Sequence, residues 1–168
     1  MAKDDPRPLS AAQRARIVGN VRNHSQLRPL LKGRARVVMT GPHMARGAGS
    51  GESVVAIYDY DRDRTLVAHV QSAGRRVMSV DEAPAAFQLS DEEEKEAETL
   101  ARADKRVKGF LGRRQMNPLT RLYFPPKAAR HRHAIVFLRP NNSERSYAVV
   151  DLSDRRVVEV LSQAEFTG

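Results

Sequence analysis

Two short stretches of this sequence contain side chains that could do chemistry. Tyr58 and Asp59 stand next to each other, and His131 and His133 lie farther along the chain. Two histidines at positions i and i+2 point to the same face of a strand, where they could bind copper or zinc. His69 is an acid/base group that could act together with Tyr58 and Asp59 in a cavity between sheets.

Neither group is a complete site in the sequence. No third metal ligand lies near His131 and His133, and the basic residues beside them disfavour a divalent cation. The sequence therefore predicts two surface histidines, no metal site and no cofactor. A buried histidine with satisfied hydrogen bonds is the simpler interpretation of His69.

Composition limits the class of protein. The chain has 168 residues, 40% of them hydrophobic and 29% charged, which is typical of one ordinary globular domain or two small ones. It has no cysteine, which excludes disulfides and thiolate metal sites. No apolar run is long enough to cross a membrane, so we expect a protein of the cytoplasm with no membrane partner.

The net charge of +9 raises the possibility of nucleic-acid binding. However, the arginines are scattered among acidic residues, and the aromatic content of 5% leaves few platforms on which bases could stack. The acidic run at 90–98 would also repel phosphate. The sequence therefore predicts an arginine-rich solvated surface and no nucleic-acid partner.

The chain contains an internal repeat. Sliding the sequence against itself by 80 residues aligns Leu9-Ser10 with Leu89-Ser90, and Arg75-Arg76-Val77 with Arg155-Arg156-Val157. Because one offset serves from end to end without a gap, the pattern indicates a duplication. Further pairs at this offset are Ala68 with Ala148, Val70 with Val150, Val55 with Ile135, and Ile57 with Phe137.

Each repeat is expected to begin with a helix. Ser10 with Gln13 and Ser90 with Glu93 have the spacing of capping boxes, and a leucine precedes each serine. The carboxylates of the acidic run then lie in a first helical turn, where they interact favourably with the helix dipole. Asp104 is expected to cap a short second helical piece after a bend.

Four strands are predicted to follow each helix. They lie at about 34–40, 53–60, 65–72 and 75–80 in the first repeat, and at about 118–124, 132–139, 145–152 and 155–161 in the second. The predicted fold class is α+β, with two tandem cystatin-like repeats, each a helix packed on a four-stranded antiparallel meander. The expected division is a disordered tail at 1–8, a first repeat at 9–88 and a second at 89–168.

Both faces of each predicted sheet are apolar. If the first hairpin closes around 61–64, Val55 and Ile57 face the helix, and the opposite face is too apolar to be left in water. This outer face would pack on another sheet or bind a partner chain, and His69 on it is expected to pair with Ala56. The predicted binding surface consists of Val54, Ala56, Tyr58, Val67, His69, Val136, Leu138, Tyr147 and Val149.

The stretch from Tyr58 to Arg114 and the stretch "YAVVDLSDRRVVEV" resemble the paired small N-terminal domains of copper amine oxidases. The resemblance extends over nearly the whole chain from Leu9, and its motifs are structural. In that family these domains precede the catalytic domain and do not carry the chemistry. The family's quinone-forming tyrosine follows an asparagine in a large separate domain, whereas Tyr58 follows Ile57 here. The resemblance therefore implies an accessory region and no amine oxidase activity.

The function expected from the sequence is binding without catalysis. The protein would be an accessory protein that binds a protein or peptide partner, or a homo-oligomer, through the outer faces of its sheets. The alternative is a small cofactor-free isomerase or cyclase that uses a cavity around His69 and Tyr58, an interpretation that depends on analogy at the level of the fold.

Overall fold

The computed structural model describes residues 8–42, 52–71, 75–83, 87–112, 116–125, 131–138 and 146–162. The chain divides into two compact units, Met1–Phe87 and Gln88–Gly168. The tail predicted at 1–8 lies outside the described residues except for Pro8. No helix among the described residues is long and apolar enough to span a membrane.

The first unit has two helices followed by one antiparallel sheet of four strands, in the order β1-β2-β3-β4. Consecutive strands are neighbours, which is the predicted meander. The elements are α1 (Ala11–Asn23), α2 (Arg28–Lys32), β1 (Ala35–Pro42), β2 (Ser53–Asp59), β3 (Arg64–Val70) and β4 (Val77–Ala83).

One face of the first sheet packs against α1. Ile17 and Val21 of the helix lie in one buried cluster with Val55 and Ile57 of β2 and with residues of β3. The register explains this arrangement, because Val55 pairs with Ala68 and Ile57 pairs with Leu66, which places all four side chains on one face. The predicted inner face of the first repeat is therefore confirmed.

The second unit has the same order of elements. Its sheet is antiparallel in the order β5-β6-β7-β8, and α3 packs on it. The α+β class and the two helix-on-meander units predicted from the sequence are therefore present. The elements are α3 (Asp91–Ala103), α4 (Lys105–Leu111), β5 (Leu119–Tyr123), β6 (His133–Leu138), β7 (Ser146–Asp151) and β8 (Arg156–Ser162).

The helix starts follow from their capping residues. The hydroxyl of Ser10 accepts a hydrogen bond from the backbone N–H of Gln13, and the side chain of Gln13 accepts one from the backbone N–H of Ser10. Ser90 and Glu93 form the same reciprocal pair. These bonds satisfy backbone N–H groups that the first turn of a helix leaves without partners. Asp104 ends α3 and caps α4 by accepting from the backbone of Arg106. Both predicted capping boxes and the second helical piece are confirmed.

The repeats do not keep one offset throughout. Thr40 pairs with Val55 in the first sheet, whereas Thr120 pairs with Val136 in the second, so the offset is 80 for β1 and 81 for β2. Val55 pairs with Ala68 and Val136 pairs with Ala148, which returns the offset to 80 in β3. The prediction of a single ungapped offset is therefore wrong at β6.

This one-residue slip exchanges the faces of β6. Thr120, the partner of Val136, donates a hydrogen bond to Glu98 of α3, so Val136 lies on the helix-facing side. Ala134 and Leu138 share that side, because alternate residues of a strand point the same way. Ile135 and Phe137, matched by sequence to the inner residues of β2, lie on the outer side instead.

The four edge strands differ in regularity. The pairings of β1, β4 and β8 each contain a register shift, at Val38, Met78 and Val158 respectively. The pairing of β5 with β6 contains none from Leu119 to Tyr123. Because a bulge twists an edge strand and disturbs its pairing, β5 is the most regular edge among the described strands.

Candidate functional site

The predicted outer surface of the first unit does form one face of the sheet, but most of its side chains are buried. Val54 pairs with His69 and Ala56 pairs with Val67, so these side chains share the face opposite α1 with Tyr58. Ala56, Tyr58 and Val67 are buried, and Val54 and His69 are half-buried. Most of this face is therefore not open to solvent.

The three candidate catalytic residues do not form one site. His69 pairs with Val54 and not, as predicted, with Ala56. Val54 is four residues from Tyr58 along β2, which corresponds to about 13 Å at the rise of a strand. His69 lies instead 3.8 Å from Asp81 of β4.

Asp59 stabilises the hairpin that follows β2. It pairs with Ala35 of the core, on the face opposite to Tyr58. Its carboxylate accepts from Arg62 and Arg64 at 3.3 and 3.4 Å and from the backbone of Asp61. These contacts give Asp59 a structural role that does not need a substrate.

Tyr58 also has local partners. Its hydroxyl donates to Asp63 at 3.1 Å, and its ring meets that of Tyr60 edge to face at 4.8 Å. Arg34 and Arg36 stack on the ring of Tyr60 at 5.6 and 5.8 Å. Buried rings with cation–π partners stabilise this end of the sheet.

The predicted surface residues of the second unit lie on two different faces. Val136 and Leu138 face α3 and are fully buried, which corrects their assignment to the outer face. Tyr147 pairs with Phe137, and Val149 pairs with Ile135, so these two do lie on the outer face. Both are buried there as well. The cause is the slip of β6 described above.

A row of polar side chains crosses the outer face of the second sheet. His133 of β6 pairs with Tyr123 of β5 on one side and with Asp151 of β7 on the other. His131 reaches the same carboxylate, with its Nδ1 2.8 Å from Asp151 Oδ2. The fold thus joins the histidine pair to an aspartate twenty residues away in the sequence.

Asp154 completes this group. Its backbone N–H donates to Asp151 Oδ1 at 2.9 Å, and its own carboxylate lies 3.9 Å from His131 Nδ1. One ligand atom each from His131, Asp151 and Asp154 lie within 4.8 Å of one another. We call these three residues together with His133 the histidine–aspartate cluster.

Asp151 is held in its ionised form. Burial by itself raises the pKa of this carboxyl, but the hydrogen bond from His131, the backbone N–H of Asp154 and the nearby charges of His131 and His133 outweigh burial and lower its pKa. The expected surface position is wrong for His133, which is buried, whereas His131 is partly exposed.

A second feature lies beside the cluster. Phe124 directly follows β5 and is 68% exposed, an unusual position for a large apolar ring. Tyr123, the last residue of β5, pairs with His133 of the cluster. The regular edge of the second sheet thus ends at an exposed aromatic side chain.

The opposite edge of this sheet is occupied. Arg106 of α4 donates to the carbonyls of Val157 and Val158 in β8, at 2.7 and 3.5 Å. Asp104 holds the guanidinium in place with contacts of 3.1 and 2.8 Å. An added strand at β8 would have to displace this anchored arginine.

Sequence reasoning did not identify Asp151, Asp154 or Phe124. Asp151 ends a strand and stands three residues before Asp154, a spacing typical of a turn, which carries no metal signal by itself. Only the antiparallel register places them beside the histidines. Phe124 could have been noticed as an aromatic residue next to two prolines at a predicted strand end.

No protein-family model matches the chain, and no curated protein matches it significantly.

Proposed function

We propose that the protein is a non-catalytic binding or accessory protein, and that it binds an extended segment of a protein partner as an additional strand on β5. The observation that carries this proposal is the regular pairing of β5, which contains no bulge within its described residues. In this mode of binding, backbone hydrogen bonds supply affinity and side-chain contacts supply specificity.

The other edges support the choice of β5 by being protected. A bulge interrupts β1, and a bulge at Met78 and the charged pair Asp81 and Glu82 mark β4. Arg106 occupies carbonyls of β8. Bulges, charges and side-chain caps are the devices that keep sheet edges from pairing with other chains.

Phe124 would anchor the added segment. Burying a phenylalanine that is now 68% exposed contributes about 1.5–3 kcal/mol, and aromatic residues are enriched at the centres of interfaces. Arg121 donates to the carbonyl of Thr120 in its own strand, and a partner's backbone could replace this single contact.

A binding role also agrees with the arrangement of the candidate catalytic residues. His69, Tyr58 and Asp59 are spread over two faces and along the length of the first sheet. The resemblance to the N-terminal domains of copper amine oxidases implies accessory domains as well. The predicted route through the outer sheet faces is replaced here by β5, because most of those faces are buried in the chain alone.

The test is a selection of peptides from a random display library against the full-length protein. We expect the selected peptides to bind Phe124→Asp at least tenfold more weakly. They should bind Met78→Asp, the matched change at an exposed apolar residue of the first unit, as they bind the wild type. Hydrogen exchange of the complex should show new protection at Leu119–Tyr123.

Two results would count against this surface. One is a set of peptides whose affinity is indifferent to Phe124→Asp, and the other is protection that appears elsewhere in the chain. Sedimentation equilibrium of the protein without peptide measures whether a second copy of the chain occupies β5 instead. A dimer that Phe124→Asp dissociates would mean that β5 pairs with a second copy of this chain.

A further inference from the structure

We infer that the histidine–aspartate cluster of the second unit is a binding site for a divalent transition metal of the zinc type. The ligands are His131, Asp151 and Asp154, and the buried His133 lies against Asp151. A metal here would join the segment that leads into β6 to the turn between β7 and β8.

The distances suit such an ion. Zinc binds nitrogen and oxygen ligands at about 2.0–2.2 Å, so the ligand atoms of a tetrahedral site lie about 3.4 Å apart. The atoms of His131, Asp151 and Asp154 lie within 4.8 Å of one another, and His133 Nε2 is 3.7 Å from Asp151 Oδ2. His131 and Asp154 are partly exposed and can adjust their side chains to close the remaining distance.

The orientation of His133 is an independent indication. Its Nδ1 lies 2.9 Å from the carbonyl of His131, and because a carbonyl can only accept, Nδ1 carries the proton. The other ring nitrogen, Nε2, therefore faces the carboxylate of Asp151 at 3.7 Å, and both side chains are buried.

The bond to the His131 carbonyl fixes the orientation of the His133 ring beside the carboxylate of Asp151, and groups that orient a ligand in this way are usual around metal sites in proteins. The backbone N–H of Asp154 similarly orients the carboxylate of Asp151. A metal would replace the proton that His131 now shares with Asp151, since ligands bind in their deprotonated form.

The charges and ligand types favour a metal of borderline softness. Two carboxylates balance the charge of a divalent cation, and the imidazole of His131 favours zinc and its neighbours over magnesium or calcium. Arg156 lies 3.2 Å from Asp154, but both side chains are exposed, and a pair of this kind contributes little and is readily exchanged. The basic neighbourhood noted in the sequence is therefore not an obstacle, and the missing third ligand is supplied by the fold.

The test uses zinc with the full-length protein. Equilibrium dialysis should give one zinc ion per chain, and zinc should raise the thermal unfolding temperature in a concentration-dependent way that a chelator reverses. We expect His131→Ala and Asp154→Asn each to weaken zinc binding at least tenfold. Both residues are partly exposed, so these variants should fold even if Asp151→Asn does not.

The first unit supplies a matched control. His69 and Asp81 form a histidine–carboxylate contact of 3.8 Å, and His69→Ala should leave zinc affinity and stoichiometry unchanged. The imidazole nitrogen resonances of His131 and His133 should shift on zinc addition while those of His69 do not. The inference is overturned if saturating zinc does not bind stoichiometrically, or if stoichiometric binding survives His131→Ala and Asp154→Asn.

Discussion

Glu93 and Arg132 form a fully buried ion pair with two hydrogen bonds. Arg132 Nε lies 2.6 Å from Glu93 Oε1 and its Nη2 lies 3.0 Å from Oε2, with side chains 2% and 0% exposed. The same carboxylate accepts from the backbone of Ser90 in the capping box, and Arg132 Nη2 also donates to the carbonyl of Gln88. One carboxylate thus fixes both the start of α3 and the residue that leads into β6.

Arg132→Ala should strongly destabilise the second unit. Removing the arginine leaves the charge of Glu93 buried without its partner, which typically costs about 3–5 kcal/mol. Urea unfolding followed by hydrogen exchange of the α3 amides measures the loss. The control is Arg156→Ala, which breaks a pair with Asp154 in which both side chains are exposed, and it should cost at most about 1 kcal/mol. Equal losses would contradict the role assigned to burial.

Replacing both partners should cost less than replacing the arginine alone. In the double variant Glu93→Gln with Arg132→Met no buried charge remains, and glutamine keeps the capping box, as Gln13 does in the first unit. We expect the free energy of unfolding to recover by about 1–3 kcal/mol relative to Arg132→Ala. A double variant less stable than Arg132→Ala would show that the pair contributes net stability beyond the cost of isolating Glu93.

The carboxyl of Asp104 should titrate below its ordinary pKa of 3.8, chiefly because it accepts hydrogen bonds from the Arg106 side chain. The lowered pKa means that this carboxylate stabilises the fold fully above the unfolded value, and that the contribution is lost as the pH falls through the folded value. An NMR titration that follows the side-chain carboxyl carbon of Asp104 measures the midpoint of its protonation. Arg106→Ala should raise it toward 3.8, and an unchanged midpoint would exclude Arg106 as the cause.

Leu138→Ala should cost about 2–5 kcal/mol, because Leu138 is buried on the helix-facing side of the second sheet. Arg62→Ala, at an exposed hairpin position of the first unit, leaves Arg64 in contact with the carboxylate of Asp59 and should cost less than Leu138→Ala. Urea unfolding compares the two.

The same face assignment predicts NMR contacts from the Val136 methyl groups to α3. The Ile135 methyl groups, on the other side of the sheet, should lack them. The reverse pattern of contacts would support the single offset of 80 residues, which places Ile135 on the helix-facing side.

The sequence was sufficient where local chemistry decides the structure. The capping boxes at Ser10 and Ser90 depend on residues three positions apart, and the strands were found from their apolar runs and turns. The sequence could not show which residues of β6 face the helix, because the residues from Ala134 to Leu138 are all apolar. In a strand buried on both sides, polar and apolar residues do not alternate. The histidine–aspartate cluster escaped for a different reason, since its members meet only through the register of β6 with β7.

The slip of β6 means that the two halves of the chain are not interchangeable position by position. A consensus sequence could be built by aligning the two halves at an offset of 80 residues. In β6, such a consensus would place side chains that suit the helix-facing side of β2 on the outer side of the second sheet. A chimera that transplants β2 in place of β6 would need its junctions moved by one residue. In related sequences, the residue types found at position 135 would therefore reflect packing on the outer face. The need to pack against a helix, which restricts the residue types at Val55, would restrict those at Val136.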